Sequence, residues 1–112
     1  MKSEIKEGVL VISVEANLLG EQSNAPVMEL LKTHLEGGTK KVLFNLSEMK
    51  FINSTGLGML LTAVTKTRNA GGELAICSLP EQMKKLLQMT KLESAFVVHT
   101  DETSALSFLK GA

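Results

Sequence analysis

Aliphatic and β-branched runs alternate along this chain with stretches in which apolar positions recur every three or four residues. Val9-Leu10-Val11-Ile12-Ser13-Val14 is almost continuously apolar, the mark of a strand covered on both faces. Ser3 to Lys6 precedes it and Glu7-Gly8 supplies a turn, which predicts an N-terminal edge hairpin. A polar loop follows, Asn17-Leu18-Leu19-Gly20-Glu21-Gln22-Ser23-Asn24. Val27, Leu30, Leu31 and Leu35 then fall at helical spacing, and Gly37-Gly38 stops that helix. Lys41-Val42-Leu43-Phe44-Asn45-Leu46 reads as a second buried strand.

Leu57, Leu60, Leu61 and Val64 place one apolar stripe on the next helix, which Gly71-Gly72 ends. Glu73 to Cys77 is a strand, and Pro80 opens a helix whose inner face is Met83, Leu86 and Leu87. Phe96-Val97-Val98 is a short strand, and Thr100-Asp101 caps a last helix through Ala105, Leu106 and Leu109. Unbroken alternation of strands and helices predicts an α/β fold: one layer of four to five mostly parallel strands, about four helices, right-handed crossovers. No linker, repeat or low-complexity stretch divides residues 1–112, so a single domain is expected.

Composition narrows the function. Twelve basic and twelve acidic residues give a net charge of zero, without the basic footprint of a nucleic-acid binder. Four Phe and no Trp or Tyr leave no stacking platform for single strands. The single cysteine, Cys77, cannot form an internal disulfide and reads as a small buried hydrophobe. No apolar run reaches the roughly 20 residues of a membrane span, and Met1 to Glu7 is too charged to open a signal peptide. A soluble cytoplasmic monomer is the expectation. His34 and His99 have no ligand-spaced neighbours, so neither a metal nor another cofactor is expected. Gly56-Leu57-Gly58 begins like a dinucleotide fingerprint, but Leu61 stands where the third glycine belongs.

The segment that stands out is Phe51-Ile52-Asn53-Ser54-Thr55-Gly56-Leu57-Gly58, between the second buried strand and the next helix. Ser54 and Thr55 fall at the helix start, where free N–H groups and the helix dipole favour negative charge. The plain reading is that Ser54 or Thr55 caps the helix, worth about 1 kcal/mol. Two details argue for more. A cap needs no glycines in the first turn, where each costs about 1 kcal/mol relative to Ala, yet Gly56 and Gly58 are there. They let another backbone approach closely. With the leucine stripe turned inward, Met59 lies opposite it with Thr55, Thr62 and Lys66, an adaptable apolar side chain facing solvent.

These residues resemble the STAS domain of bacterial anti-sigma factor antagonists. The resemblance covers essentially the whole chain: Glu15-Ala16-Asn17-Leu18, Lys41 to Ser47 ahead of Phe51-Ile52, Asn53 to Gly58, Gly71-Gly72-Glu73-Leu74, and Leu86 to Leu92. It implies a regulator without catalysis. Such a protein binds an anti-sigma factor that is also a serine kinase, which frees a sigma factor. The kinase phosphorylates the serine before the Ser/Thr-Gly pair, Ser54 here, the complex parts, and a serine phosphatase restores the protein. Asn53, Thr55, Gly56, Gly58 and Met59 would line the docking surface, with Gly20, Ser23 and Asn24 as neighbours. The family usually has aspartate at two positions where this chain has Asn45 and Asn53, which bears on kinase recognition and on the charge match of the interface. The alternative is a non-switching STAS subunit of a signalling scaffold or transporter complex, indifferent to substitution at Ser54. A third reading makes Ser54 a nucleophile, but no general base accompanies it in sequence.

Overall fold

A computed structural model describes residues 2–112. The described residues form five strands and four α-helices in the order β1 (Lys2–Lys6), β2 (Val9–Ser13), α1 (Glu21–Glu36), β3 (Lys41–Asn45), α2 (Ser54–Asn69), β4 (Glu73–Cys77), α3 (Glu81–Thr90), β5 (Val97–His99) and α4 (Glu102–Lys110). A 3₁₀ turn over Glu93–Ala95 precedes β5. The sheet order is β1-β2-β3-β4-β5, with β1 antiparallel to β2 and every other pair parallel. The predicted edge hairpin is present, and its turn takes positive φ at Glu7 (52°) and Gly8 (83°), which matches the twist of the strands it joins.

The strand order fixes the layers. Three right-handed crossovers that always step in the same direction must leave α1, α2 and α3 on one face of the sheet. Their core joins Leu10, Ile12, Val42, Phe44, Leu74 and Ile76 of the strands to Leu31, Leu60 and Met83 of the helices. The alternate strand residues Val9, Val11, Leu43, Ala75 and Cys77 face the other way and are covered by Ala105 and Leu109 of α4. Burial on both faces explains why β2, β3 and β4 read as continuous apolar runs rather than alternating ones. Because the parallel strands are added in one direction only, their order never reverses, and the crevice in which doubly wound folds hold ligands does not form. The loops after β2, β3 and β4 present an edge rather than a cleft. Among the described residues no helix is long and apolar enough to cross a membrane.

Several sequence-level boundaries move. Helix α1 begins at Glu21, not near Val27, so Ser23 and Asn24 are helical and Gly20 is the residue before the helix. Pro26 lies inside this helix. It sits in the second turn, where it forgoes only the bond to the Gln22 carbonyl. Phe96 is buried in the helical core ahead of β5 rather than belonging to the strand.

Candidate functional site

The loops that follow β2 and β3 are zipped together at the C-terminal edge of the sheet. Leu18 and Ile52 form an isolated parallel bridge, with Leu18 N–H donating to Phe51 O (3.3 Å) and Asn53 N–H to Leu18 O (3.3 Å). Loop backbone that lacks a strand partner must find one in side chains, and three carboxamides supply it. Asn17 Oδ1 accepts from the N–H groups of Lys50 (2.9 Å) and Phe51 (3.0 Å). Gln82, in the first turn of α3, accepts from Ile52 N–H (2.9 Å) and donates to Ile52 O (2.8 Å), as a strand would. Asn53 donates through Nδ2 to Leu19 O (2.8 Å) and accepts through Oδ1 from Gly56 N–H (3.0 Å).

That last contact settles the capping question. The residue before α2 is Asn53, in extended conformation with φ −111°, and its side chain closes the first turn. Neither Ser54 nor Thr55 caps the helix. Ser54 is the first helical residue and is exposed, and its hydroxyl makes no hydrogen bond among the described residues. Thr55 and Gly58 are exposed beside it. Among the described residues no titratable group is hydrogen-bonded to Ser54. His99 Nδ1 lies 2.8 Å from Ser104 Oγ and its ring is 5.3 Å from that of Phe108; His34 is in the last turn of α1. Cys77 is fully buried, and burial pushes its thiol above the ordinary value.

Two expectations about this surface are corrected. Gly56 is buried, and the backbone that approaches it is internal: a Cβ there would lie 2.1 Å from Leu18 O and 2.7 Å from Ile52 Cγ1. The glycine is required by the zipped loops, not by a partner. Met59 is buried too, at 8% exposure. The inner face of α2 is centred on the small residues Gly56 and Ala63 together with Leu60 and Thr67, so Met59 falls on one flank and Leu61 on the other, half-buried. Centring the stripe on leucines turned the wheel too far. Helix α1 covers the Met59 side, and Asn24, itself buried, donates from α1 to Thr55 O (3.4 Å) one turn away.

The segment from Gly20 to Asn24 does lie against the Ser54 loop, as expected, through Asn53–Leu19 and Asn24–Thr55. Ser23 has a structural task there: its Oγ accepts from Gly20 N–H (3.2 Å) and closes the start of α1. Asn53, Ser54, Thr55 and Gly58 are therefore presented outward, whereas Gly56, Met59 and Asn24 support them from below. Sequence reasoning missed Leu19 and Phe51, which are half exposed at this edge, and the supporting amides Asn17 and Gln82. The alternation Leu18/Leu19 and Phe51/Ile52 carried a signal for the first pair, since two short paired segments cannot bury both residues of each.

A family model described as the STAS domain matches residues 1–106. An anti-sigma F factor antagonist from Paenibacillus polymyxa is 24% identical over 110 residues, 98% of this chain and 94% of the relative. Among solved structures, a candidate anti-sigma factor antagonist (tm1081) from Thermotoga maritima superposes with a TM-score of 0.88 at 19% identity, covering 97% of this chain and 93% of that one. The anti-sigma factor antagonist SpoIIAA in its unphosphorylated form gives 0.77 at 16% identity, with 99% and 98% covered. The Bacillus cell fate determinant SpoIIAA in the phosphorylated form gives 0.73 at 17%, with 96% and 97% covered. At these identities the structural likeness establishes the fold.

Proposed function

This chain belongs to the STAS domain family, and we propose that it acts as an anti-sigma factor antagonist. It binds an anti-sigma factor that is also a serine kinase and so frees a sigma factor. Phosphorylation of Ser54 ends the binding, and a serine phosphatase renews it. The observation that carries this reading is Ser54 itself: an exposed hydroxyl at the first residue of α2, left unbonded because Asn53 takes the cap. The name of the Paenibacillus polymyxa relative and the two forms of SpoIIAA support the same assignment.

The physics of the switch follows from the position. The outward surface of Asn53, Ser54, Thr55 and Gly58 carries no charge, so a partner can close on it without desolvating an ion. A phosphate brings about −1.5 to −2 charges. Burying them against a surface shaped for a neutral hydroxyl is strongly unfavourable. The same phosphate is welcome to the free domain, because it sits on the first N–H groups of α2 at the positive end of the helix. Asn53, in place of a carboxylate, removes the like charge beside it. The modification therefore changes the interface and not the fold.

Affinity capture from the native host's lysate with wild-type, Ser54→Ala and Ser54→Asp baits tests this. A kinase-type anti-sigma factor is expected on the first two and lost from the third. Ser54→Asp should melt at or slightly above wild type, since a carboxylate at a helix N-terminus contributes about 0.3–1 kcal/mol. Equal capture by all three baits overturns the switch.

A further inference from the structure

The parallel bridge between Leu18 and Ile52 sends those two side chains into the core. Alternation then turns their neighbours outward, so Asn17, Leu19, Phe51 and Asn53 share the outer face of the ledge. Leu19 is 51% exposed and Phe51 53%. Both are held by their backbones: Leu19 O accepts from Asn53, Phe51 N–H donates to Asn17, and Phe51 O accepts from Leu18 N–H. Exposed Glu21 lies beside Asn17 and Leu19, and exposed Lys50 precedes Phe51, so one charge of each sign flanks the two apolar side chains. Apolar side chains on a backbone held in this way lose less freedom on being covered than they would on a free loop, which is what an interface anchor needs.

We propose that Leu19 and Phe51 are the apolar anchors of the docking surface, and that the anti-sigma factor reads Ser54 while seated on them. This rests on the function proposed above and adds the part of the surface that holds the partner whichever side chain stands at the switch. Continuity identifies the occupant. Phe51 is three residues from Ser54, no more than roughly 10 Å along the chain. An ordinary interface covers about 800 Å² on each partner, a disc of roughly 16 Å radius. Asn53 ties Leu19 to the same helix start, with its Nδ2 on Leu19 O and its Oδ1 on Gly56 N–H. An interface of that size centred on Ser54 reaches both anchors. Phosphate at Ser54 also stands next to apolar side chains, where a partner shaped to them offers it no counter-charge.

The test uses the purified anti-sigma factor obtained by the Ser54 capture, titrated against wild type, Leu19→Ala, Phe51→Ala, the double variant, Phe51→Leu and Ser54→Asp. Met89→Ala, 80% exposed on α3, is the control. Unfolding midpoints and sedimentation are measured on every variant. Each single anchor variant is expected to weaken binding about tenfold, or about 1.4 kcal/mol, with Phe51→Leu intermediate, the control within twofold, and midpoints close to wild type. Anchor variants within twofold of wild type, with Ser54→Asp still unable to bind, overturn the anchors and leave the switch standing. Tenfold losses at the anchors with Ser54→Asp binding normally overturn the switch and keep the anchors. Self-association that Leu19→Ala abolishes, with heterologous binding unchanged, makes a second copy the occupant and overturns the proposal, as does capture of no kinase-type partner.

Discussion

Helix α2 meets foreign backbone at both of its ends, and a glycine makes each meeting possible. At the N-terminal end a Cβ on Gly56 would lie 2.1 Å from Leu18 O; just past the C-terminal end, one on Gly72 would lie 2.0 Å from Lys40 O. What surrounds the two contacts differs. Past the C-terminus the pairing is chiefly main chain to main chain, with Gly71 N–H on Arg68 O (2.9 Å), Gly72 N–H on Thr67 O (2.9 Å) and Glu73 N–H on Lys40 O (2.8 Å) leading straight into β4, and Lys40 Nζ adding a bond to Ala70 O. At the N-terminus two main-chain bonds, Leu18 N–H to Phe51 O and Asn53 N–H to Leu18 O, pair only part of the loops, and the carboxamides of Asn17, Asn53 and Gln82 hold the rest. Backbone that pairs with backbone is committed to the sheet. Backbone held by side chains can be laid along the protein's edge with a hydroxyl left over, and Ser54 is that hydroxyl.

The largest effects should come from the glycines. Gly56→Ala and Gly72→Ala each force a methyl into backbone, so each is expected to lower unfolding free energy by about 3 kcal/mol, at the upper end of the overpacking range. Urea titrations read this directly. The contrast lies in what the folded fraction still does. Gly72→Ala should bind the anti-sigma factor with wild-type affinity once corrected for folding, whereas Gly56→Ala should not, because relieving its clash moves Leu18 and the ledge. Equal affinity losses would erase the distinction between the two ends.

Removal of the carboxamides comes next. Gln82→Ala leaves Ile52 N–H and O without partners in a partly buried place, a cost of about 1–3 kcal/mol. Native-state hydrogen exchange should show Ile52 opening more readily while β3 and β4 amides keep their protection. Uniform loss of protection across the sheet would mean that the loop is not a separable unit. Asn53→Ala removes the cap at a cost of about 1 kcal/mol. Asn53→Asp keeps the acceptor for Gly56 N–H, loses the donor to Leu19 O, and should stay within about 1 kcal/mol of wild type.

Much of the sheet was legible before any coordinates, because burial on both faces writes itself into sequence as β-branched runs. Lys41, Glu73 and Cys77 bound their strands where the pattern placed them. The cap at Asp101 was legible for the same reason, a local one: its Oδ1 accepts from Ser104 N–H three residues on. The site was legible as a segment and misread in its orientation. Periodicity reports large apolar residues, but the inner face of α2 is built where small ones allow the helix to sink, at Gly56 and Ala63. Leucines at the flanks therefore drew the wheel toward themselves and put Met59 in solvent. Asn17 and Gln82 carried no local signal. Their partners are 33 and 30 positions away, a distance that only the crossover topology closes.

Gly58 separates stability from recognition at a smaller scale. Nothing lies within 4 Å of a Cβ placed there. Gly58→Ala should therefore stabilise the domain by up to about 1 kcal/mol through helix propensity alone. If the partner packs against the bare backbone, the same variant binds less well while melting higher. A variant that is both more stable and equally tight would show that α2 beyond its first turn lies outside the contact, and would confine the interface to Ser54, Thr55 and the ledge.

The smallest effect tests how the presented loop is launched from β3. Asn45 Oδ1 accepts from Ser47 N–H (3.0 Å), while its Nδ2 donates to Glu102 Oε1 (3.2 Å) on α4. Glu102 is held in turn by Lys6 Nζ at 2.7 Å. The Lys6 hydrogen bond, aided by Asn45 and opposed by partial burial, lowers the Glu102 carboxyl below its ordinary value of 4.5. A lowered carboxyl contributes stability that is complete above 4.5 and fades as pH falls through its folded-state value. The partner amine of Lys6 is raised above 10.5 by Glu102 first and then Glu4, so its share is complete below 10.5 and fades as pH climbs through its folded-state value. Between those limits the pair is constant. Glu102→Gln should cost about 0.5 kcal/mol near pH 7, as partly exposed pairs do. That difference from wild type should shrink as pH falls below 4.5 and through the folded-state value of Glu102, where protonation neutralises the native carboxylate. A difference that does not change with pH across the acid range would assign the role of Glu102 to packing and leave Asn45 held by shape alone.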